Sequence, residues 1–321
     1  MRLKRTLVAG LMASALILGG CSNSDDTAEG EATPTSLKET PTSSKTQSTG
    51  DGQVPVGESS TYQGVDVVIV GDYKMPATLV VPETASEENL VPAVVMLHGT
   101  GSQRHEAGDG YVHMADALAE AGIASLRIDF MGAGDSAEPD ENFDLDNALS
   151  DARDAVAYLQ SQPGINPEAI GVMGWSQGGL HALRVAAEVD QVSAAVTWAA
   201  PAAPMKVTDE QRAEAAEKGY FTQEFDWREP MDTGQKWIDG MDALDMTAVA
   251  SRIDIPLLLI NGSNDDVVPP SNANDLHAII PSSDVLIIDG ADHTFNIFSG
   301  DMAAFDELMS ATAGFFAENL K

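Results

Sequence analysis

The chain has 321 residues, and its 17 Lys and Arg stand against 50 Asp and Glu, a formal charge of −33 at pH 7. So acidic a surface repels phosphate backbones, which excludes nucleic acid as a partner. The single cysteine excludes an intrachain disulfide, and a folded part of about 260 residues can bury enough surface to need none.

Residues 1–20 open with Arg2, Lys4 and Arg5, continue in an apolar run from Leu7 to Leu18, and end on Gly19 and Gly20. This is the pattern of a secretory signal, and the run is too short for a stable membrane span. The only cysteine, Cys21, follows at once. Leu18-Gly19-Gly20-Cys21 resembles the lipobox of bacterial lipoproteins. That resemblance implies cleavage before Cys21 and acylation of its thiol and amine. The membrane would then be a partner through the lipid anchor, at an extracytoplasmic site. Residues 21–57 are rich in Ser, Thr, Gly, Pro, Asp and Glu, and read as a flexible tether.

The remaining span, 58–321, reads as one folded domain. Alternating runs at 65–70 and 77–81 suggest an opening antiparallel pair. Apolar runs then recur at 93–97, 124–128, 169–173, 194–198, 256–260 and 284–288. Amphipathic stretches at 112–121, 147–161 and 177–189 separate several of them. Continuously apolar strands alternating with helices predict an α/β fold, a mostly parallel sheet of about eight strands with helices on both faces. The alternation breaks at about 202–250. This excursion carries Tyr220, Phe221, Phe225, Trp227 and Trp237 among many charges, and is expected to be a small inserted helical cap over the active-site mouth.

Gly174-Trp175-Ser176-Gln177-Gly178-Gly179 joins a predicted strand to a predicted helix. That context fits a nucleophile elbow, in which small neighbours let a tight turn lift a serine above the sheet edge. A serine needs a base, and the base an orienting acid. Of the later histidines, His181 is too near Ser176 along one helix to turn back on it, and His277 lies in an amphipathic stretch. His293 follows the last strand in a loop, where ligands of open α/β sheets bind. The loop after the 256–260 strand offers Asp265 and Asp266 as acids, while Asp292 adjoins His293 and is expected to point elsewhere. An oxyanion needs two backbone N–H donors. Gln177 supplies one, and Thr100, within His98-Gly99-Thr100-Gly101 after the 93–97 strand, supplies the other. His98 reads as a structural loop residue, and Arg127, Asp129 and the run 132–136 as a turn network. His105 and His113 have no metal-ligand pattern around them, and phosphate-loop and dinucleotide patterns are missing, so neither metal nor cofactor is expected.

From about residue 60 onward these stretches, together with 123–130, 262–269 and 290–295, resemble α/β-hydrolase esterases, especially bacterial feruloyl/cinnamoyl esterases and dienelactone-hydrolase-like proteins. The resemblance implies an α/β-hydrolase fold with Ser176 as nucleophile, Asp265 as acid, His293 as base, and Thr100 and Gln177 as oxyanion donors. Two positions depart from the esterase pattern: Trp175 stands where that group has His, and Thr100 where it has a bulky Phe. The function this implies is a serine carboxylic ester hydrolase that forms an acyl-enzyme with a small-molecule ester. The alternatives are a cell-surface peptidase of prolyl-oligopeptidase type and a non-catalytic binding lipoprotein of the same fold.

Overall fold

The structure is a computed structural model that describes residue 62 and residues 64–321, which fall within one compact unit. The expected leader 1–20, Cys21 and the tether 21–57 lie outside the described residues. In chain order the strands are β1 (Val65–Val70), β2 (Lys74–Val80), β3 (Val91–Leu97), β4 (Ala124–Ile128), β5 (Ile165–Trp175), β6 (Val192–Trp198), β7 (Tyr220–Gln223), β8 (Met231–Gly234), β9 (Leu257–Gly262) and β10 (Asp284–Ile288). The helices are α1 (Gly110–Glu120), α2 (Leu145–Gln160), α3 (Gln177–Glu188), α4 (Asp209–Lys218), α5 (Gln235–Ala243), α6 (Met246–Ala250), α7 (Ser271–Ile279) and α8 (Ala303–Asn319).

Eight strands form one sheet in the order β1-β2-β4-β3-β5-β6-β9-β10. The β1–β2 and β2–β4 pairs are antiparallel and every later pair is parallel. This is the mostly parallel sheet of about eight strands that the apolar runs predict, in the α/β-hydrolase arrangement that the resemblance implies. The two-residue period of each strand divides the core into two layers. Ala93, Val95 and Leu97 of β3 join Ile170 and Val172 of β5 and Leu257 and Leu259 of β9 beneath α2, α3 and α6. Val94 and Met96 join Met173, Trp175, Val196, Trp198 and Ile260 beneath α1 and α8. Gly171 lets α8 come close: a Cβ there would lie 2.7 Å from the Phe316 ring.

Helix α2 starts two residues before its expected position because the Asp144 carboxylate accepts from the Asp146 and Asn147 backbones. Its buried Asp151 ties the helix to two loops, accepting from the Met131 N–H at 2.8 Å and the Tyr73 hydroxyl at 2.9 Å. Burial pushes the Asp151 carboxyl up from 3.8 to about 7, against the pull of those hydrogen bonds. A raised carboxyl favours the protonated folded state, so stability is greatest at low pH and declines as pH rises from 3.8 towards about 7. Asp151→Asn keeps an acceptor for both donors and is expected to remove this slope. Urea unfolding should find it more stable than the native chain by about 1–3 kcal/mol at pH 8, with the difference shrinking towards pH 4.

The excursion differs from the helical cap expected over 202–250. It contains α4, α5 and α6, and also an antiparallel ribbon in which Tyr220 pairs with Gly234 and Gln223 with Met231. Tyr220, Phe221, Thr222 and Thr233 favour extended backbone. Gly219, at φ 90°, ends α4 directly before the ribbon. Nor does the whole excursion cover the mouth. Phe221 and Trp237 are buried in the α2/α3 layer, with ring centroids 6.1 Å apart, and the buried Met246 and Val249 of α6 belong to the same layer. Among the described residues no helix is long and apolar enough to cross a membrane.

Candidate active site

Every sequence-predicted triad and oxyanion residue lies in a segment that leaves the C-terminal end of a parallel strand: Thr100 after β3, Ser176 and Gln177 after β5, Asp265 after β9 and His293 after β10. Ser176 sits at φ 55° and ψ −122°, a conformation that costs a non-glycine residue free energy. The surrounding glycines are required by contact. A Cβ on Gly174 would lie 2.0 Å from the Gly178 carbonyl oxygen, one on Gly178 2.0 Å from that of Leu97, and one on Gly179 2.7 Å from the Ala200 Cβ. The Ser176 N–H donates to the Trp198 carbonyl at 2.8 Å, which ties the turn to β6.

His293 Nδ1 lies 2.8 Å from Asp265 Oδ2. Asp265 Oδ1 accepts from the Val267 and Val268 N–H groups at 3.0 and 2.8 Å, so the carboxylate is buried and fixed in direction. Asp266 is exposed. Asp292 turns into its own loop, accepting from the Thr294 and Asn296 backbones and the Thr294 hydroxyl. A ring nitrogen facing a carboxylate carries the proton, which leaves His293 Nε2 free to accept one. Among the described hydrogen bonds none joins Ser176 Oγ to His293; such contacts often tighten only with substrate bound.

The backbone N–H groups of Thr100 and Gln177 have no acceptor among the described residues outside regular helix and strand bonds. Gln177 opens α3, where the first N–H groups are unpaired and the helix dipole favours negative charge. Phe225, from the ribbon tip, lies over the same loop: a Cβ on Gly101 would be 2.8 Å from its ring. Arg228 donates to the Gly101 carbonyl at 2.8 Å, and Trp227 stacks 5.1 Å from Phe225 while staying 64% exposed.

Three residues to which the sequence assigned no role hold these parts together. The Trp175 indole N–H donates to the His293 carbonyl at 3.1 Å, a strut between the elbow and the base loop. The Glu106 carboxylate accepts from the Gly99 N–H at 2.5 Å and the Ser102 hydroxyl at 2.7 Å, pinning the oxyanion loop. The Tyr111 hydroxyl donates to the Leu97 carbonyl at 2.8 Å. Trp175 was visible only as a departure from a motif. Glu106 gave no signal, because its partners are largely backbone groups. His98 bonds to the Gly99 carbonyl and the Phe130 N–H, and His277 to Ser283, so both serve local structure. Asp129 accepts from the Arg104 backbone, the Arg104 guanidinium and the Asp135 N–H, joining the loops after β3 and β4 in a turn network. Arg127 stands apart from that network, with its Nε and Nη1 unpartnered. Among the described residues no cluster of three or more His, Cys, Asp or Glu is arranged to hold a metal.

Thiohydrolase aneE of Aspergillus aculeatus is 32% identical over 130 residues, 40% of this chain and 38% of that protein. Quorum-quenching protein AidA of Acinetobacter baumannii is 32% identical over 127 residues, 39% of this chain and 40% of that protein. The chain thus spans about two fifths of the length of these relatives. Among solved structures, Est1E from Butyrivibrio proteoclasticus with ferulic acid bound superposes at a TM-score of 0.66 and 21% identity, covering 79% of this chain and 98% of that one. At that identity the likeness speaks for the fold alone. The sequence profile of Peptidase S9, the prolyl oligopeptidase family, matches residues 110–321, more than half of the chain and the part that carries Ser176, Asp265 and His293. The chain therefore belongs to the prolyl oligopeptidase family, built on the α/β-hydrolase fold.

Proposed function

We propose that this protein is a serine hydrolase that cleaves carboxylic esters of small or aromatic acids through an acyl-enzyme. The observation that carries the reading is the His293–Asp265 pair, held at 2.8 Å beyond the same sheet edge as a serine in a strained elbow. His293 Nε2 takes the Ser176 proton as Oγ attacks the ester carbonyl. The Thr100 and Gln177 N–H groups receive the oxyanion, each worth about 3–4 kcal/mol in the transition state. The alcohol leaves with the proton from His293, and a water activated by His293 then releases the acid. Phe225 and Trp227 beside the oxyanion loop suit an aromatic or compact apolar acyl group. The ferulic acid bound to Est1E supports that choice of class.

Membership of the prolyl oligopeptidase family favours a second reading, hydrolysis of short peptides. A p-nitrophenyl ester panel from acetate to laurate with ferulate, run beside aminoacyl-nitroanilides, separates the two. Ester turnover without nitroanilide turnover supports the esterase, and nitroanilide turnover without turnover of the simple esters supports the peptidase.

The reading also has the enzyme extracytoplasmic and anchored to a bacterial membrane through acylated Cys21, supported by the sequence of residues 1–21. Cells fed labelled palmitate are expected to label the native protein and not Cys21→Ser, which should move from the membrane to the soluble extracytoplasmic fraction. Equal labelling of the two would refute the anchor.

A further inference from the structure

The triad leaves unexplained a row of polar side chains beneath the two oxyanion donors. The Thr100 hydroxyl donates to Gln177 Oε1, linking the loop after β3 to the first residue of α3. Gln177 is buried, and its amide nitrogen lies 3.5 Å from His181 Nε2, one turn along α3. His181 is also buried, with the Phe130 and Phe143 rings 5.3 and 5.9 Å away. Burial, with the Arg184 charge adding to it, pushes the ring down to about 3, so it is neutral at assay pH. A neutral imidazole accepts at one nitrogen and donates from the other. With His181 Nε2 accepting from the amide, the amide oxygen turns towards Thr100 and the hydroxyl must donate. Among the described residues His181 Nδ1 is left without a hydrogen-bond partner, and the Thr100 hydroxyl has one other polar contact, the weak acceptor Met205 Sδ at 3.9 Å.

The loop needs such a restraint. Thr100 stands between Gly99 and Gly101, and Gly101 adopts φ 66°. Glu106 holds the Gly99 N–H, and the Gly99 carbonyl, on the same peptide as the Thr100 N–H, accepts from the Ser102 N–H at 3.2 Å and from His98 Nδ1 at 2.9 Å, but none of these bonds reaches across to α3. Those bonds set the peptide within its own loop, while the Thr100 side chain ties it to the facing donor across the hole. The facing donor rides on a helix that the elbow holds rigidly.

We infer that the Thr100–Gln177–His181 row is a clamp that fixes the spacing and direction of the two oxyanion donors. Thr100 and Gln177 then act through their side chains as positioning groups as well as through their backbones. The Thr100 hydroxyl is committed to Gln177 and adds no third donor to the hole. The clamp rests on the serine-hydrolase reading. It predicts a defect in transition-state stabilisation, with ground-state binding spared.

The experiment uses the full chain and the best p-nitrophenyl ester, with a matching trifluoromethyl ketone whose serine adduct bears an oxyanion. Thr100→Val keeps the shape and removes the hydroxyl; Thr100→Ser keeps the hydroxyl. Thr100→Val should lower kcat about 10- to 100-fold with KM within about twofold, and weaken the ketone by the same factor. Thr100→Ser should recover kcat to within about threefold of the native enzyme. Gln177→Met retains the backbone donor and loses the amide. It should match Thr100→Val, and the double variant should lose no more than either single one. Unchanged kcat in Thr100→Val, a loss of kcat without weaker ketone binding, or fully multiplicative losses in the double variant would each overturn the clamp. A native enzyme without turnover on any ester or aminoacyl-nitroanilide would overturn the serine-hydrolase reading and the clamp with it, whereas native turnover abolished by Ser176→Ala leaves the clamp to be judged on its own variants.

Discussion

Replacing Ser176 by alanine is expected to cut kcat/KM on the preferred ester by about four to six orders of magnitude, to the residual rate that binding and the oxyanion donors alone sustain. The change removes one atom, and that atom makes no hydrogen bond among the described residues. Serine and alanine pay alike for a backbone at φ 55° and ψ −122°. The melting temperature should therefore stay within about 2 °C of the native value, which separates lost chemistry from lost fold. A variant that keeps a tenth of the activity would leave no role for the elbow serine as nucleophile.

Asp265→Asn should come next, with a loss of about 10⁴ in kcat. Geometry dictates why so conservative a change is costly. Oδ1 holds the Val267 and Val268 N–H groups, and those donors require an oxygen. The new amide nitrogen is thereby forced into the position of Oδ2, facing His293 Nδ1. That nitrogen becomes an acceptor, the ring proton moves to Nε2, and the base arrives already protonated at the atom meant to take the Ser176 proton. The fold survives because every backbone bond is retained. The exposed neighbour gives the control: Asp266→Asn should leave kcat within about twofold. Comparable losses in the two variants would move the acid away from Asp265.

The sheet was legible because its central strands are buried on both faces. Runs such as Ala93–Leu97 carry no polar residue to confuse the period, and glycines and helices punctuate them. The candidate nucleophile and base were legible because tight turns demand glycine, and the order of serine, acid and histidine leaves few choices. The pair at 265–266 was decided by resemblance, since two adjacent aspartates look alike until one is buried against Val268. The ribbon in the excursion was not legible. Its strands are only four residues long and sit among charges, and Gly234 is required by the Glu141 carbonyl, 2.3 Å from where its Cβ would be. Such a contact, between residues distant in sequence, leaves no local pattern. The Trp175 strut escaped for the same reason, joining a strand end to a loop 118 residues away.

The ribbon tip has a consequence for inheritance. Strands β6 and β9 are hydrogen-bonded neighbours although the whole excursion lies between them, so the length of that insert does not disturb their register. Most of the insert is nevertheless not interchangeable, because Phe221, Trp237 and Val249 are part of the core. Residues 224–230, between β7 and β8, lie outside that core, and they carry Phe225, Trp227 and Arg228 over the oxyanion loop. Lengthening so short a turn adds little closure entropy, since that term grows only with the logarithm of length. Exchange of that one hairpin tip is therefore expected to change the surroundings of the oxyanion loop while the rest of the excursion and the sheet keep their packing.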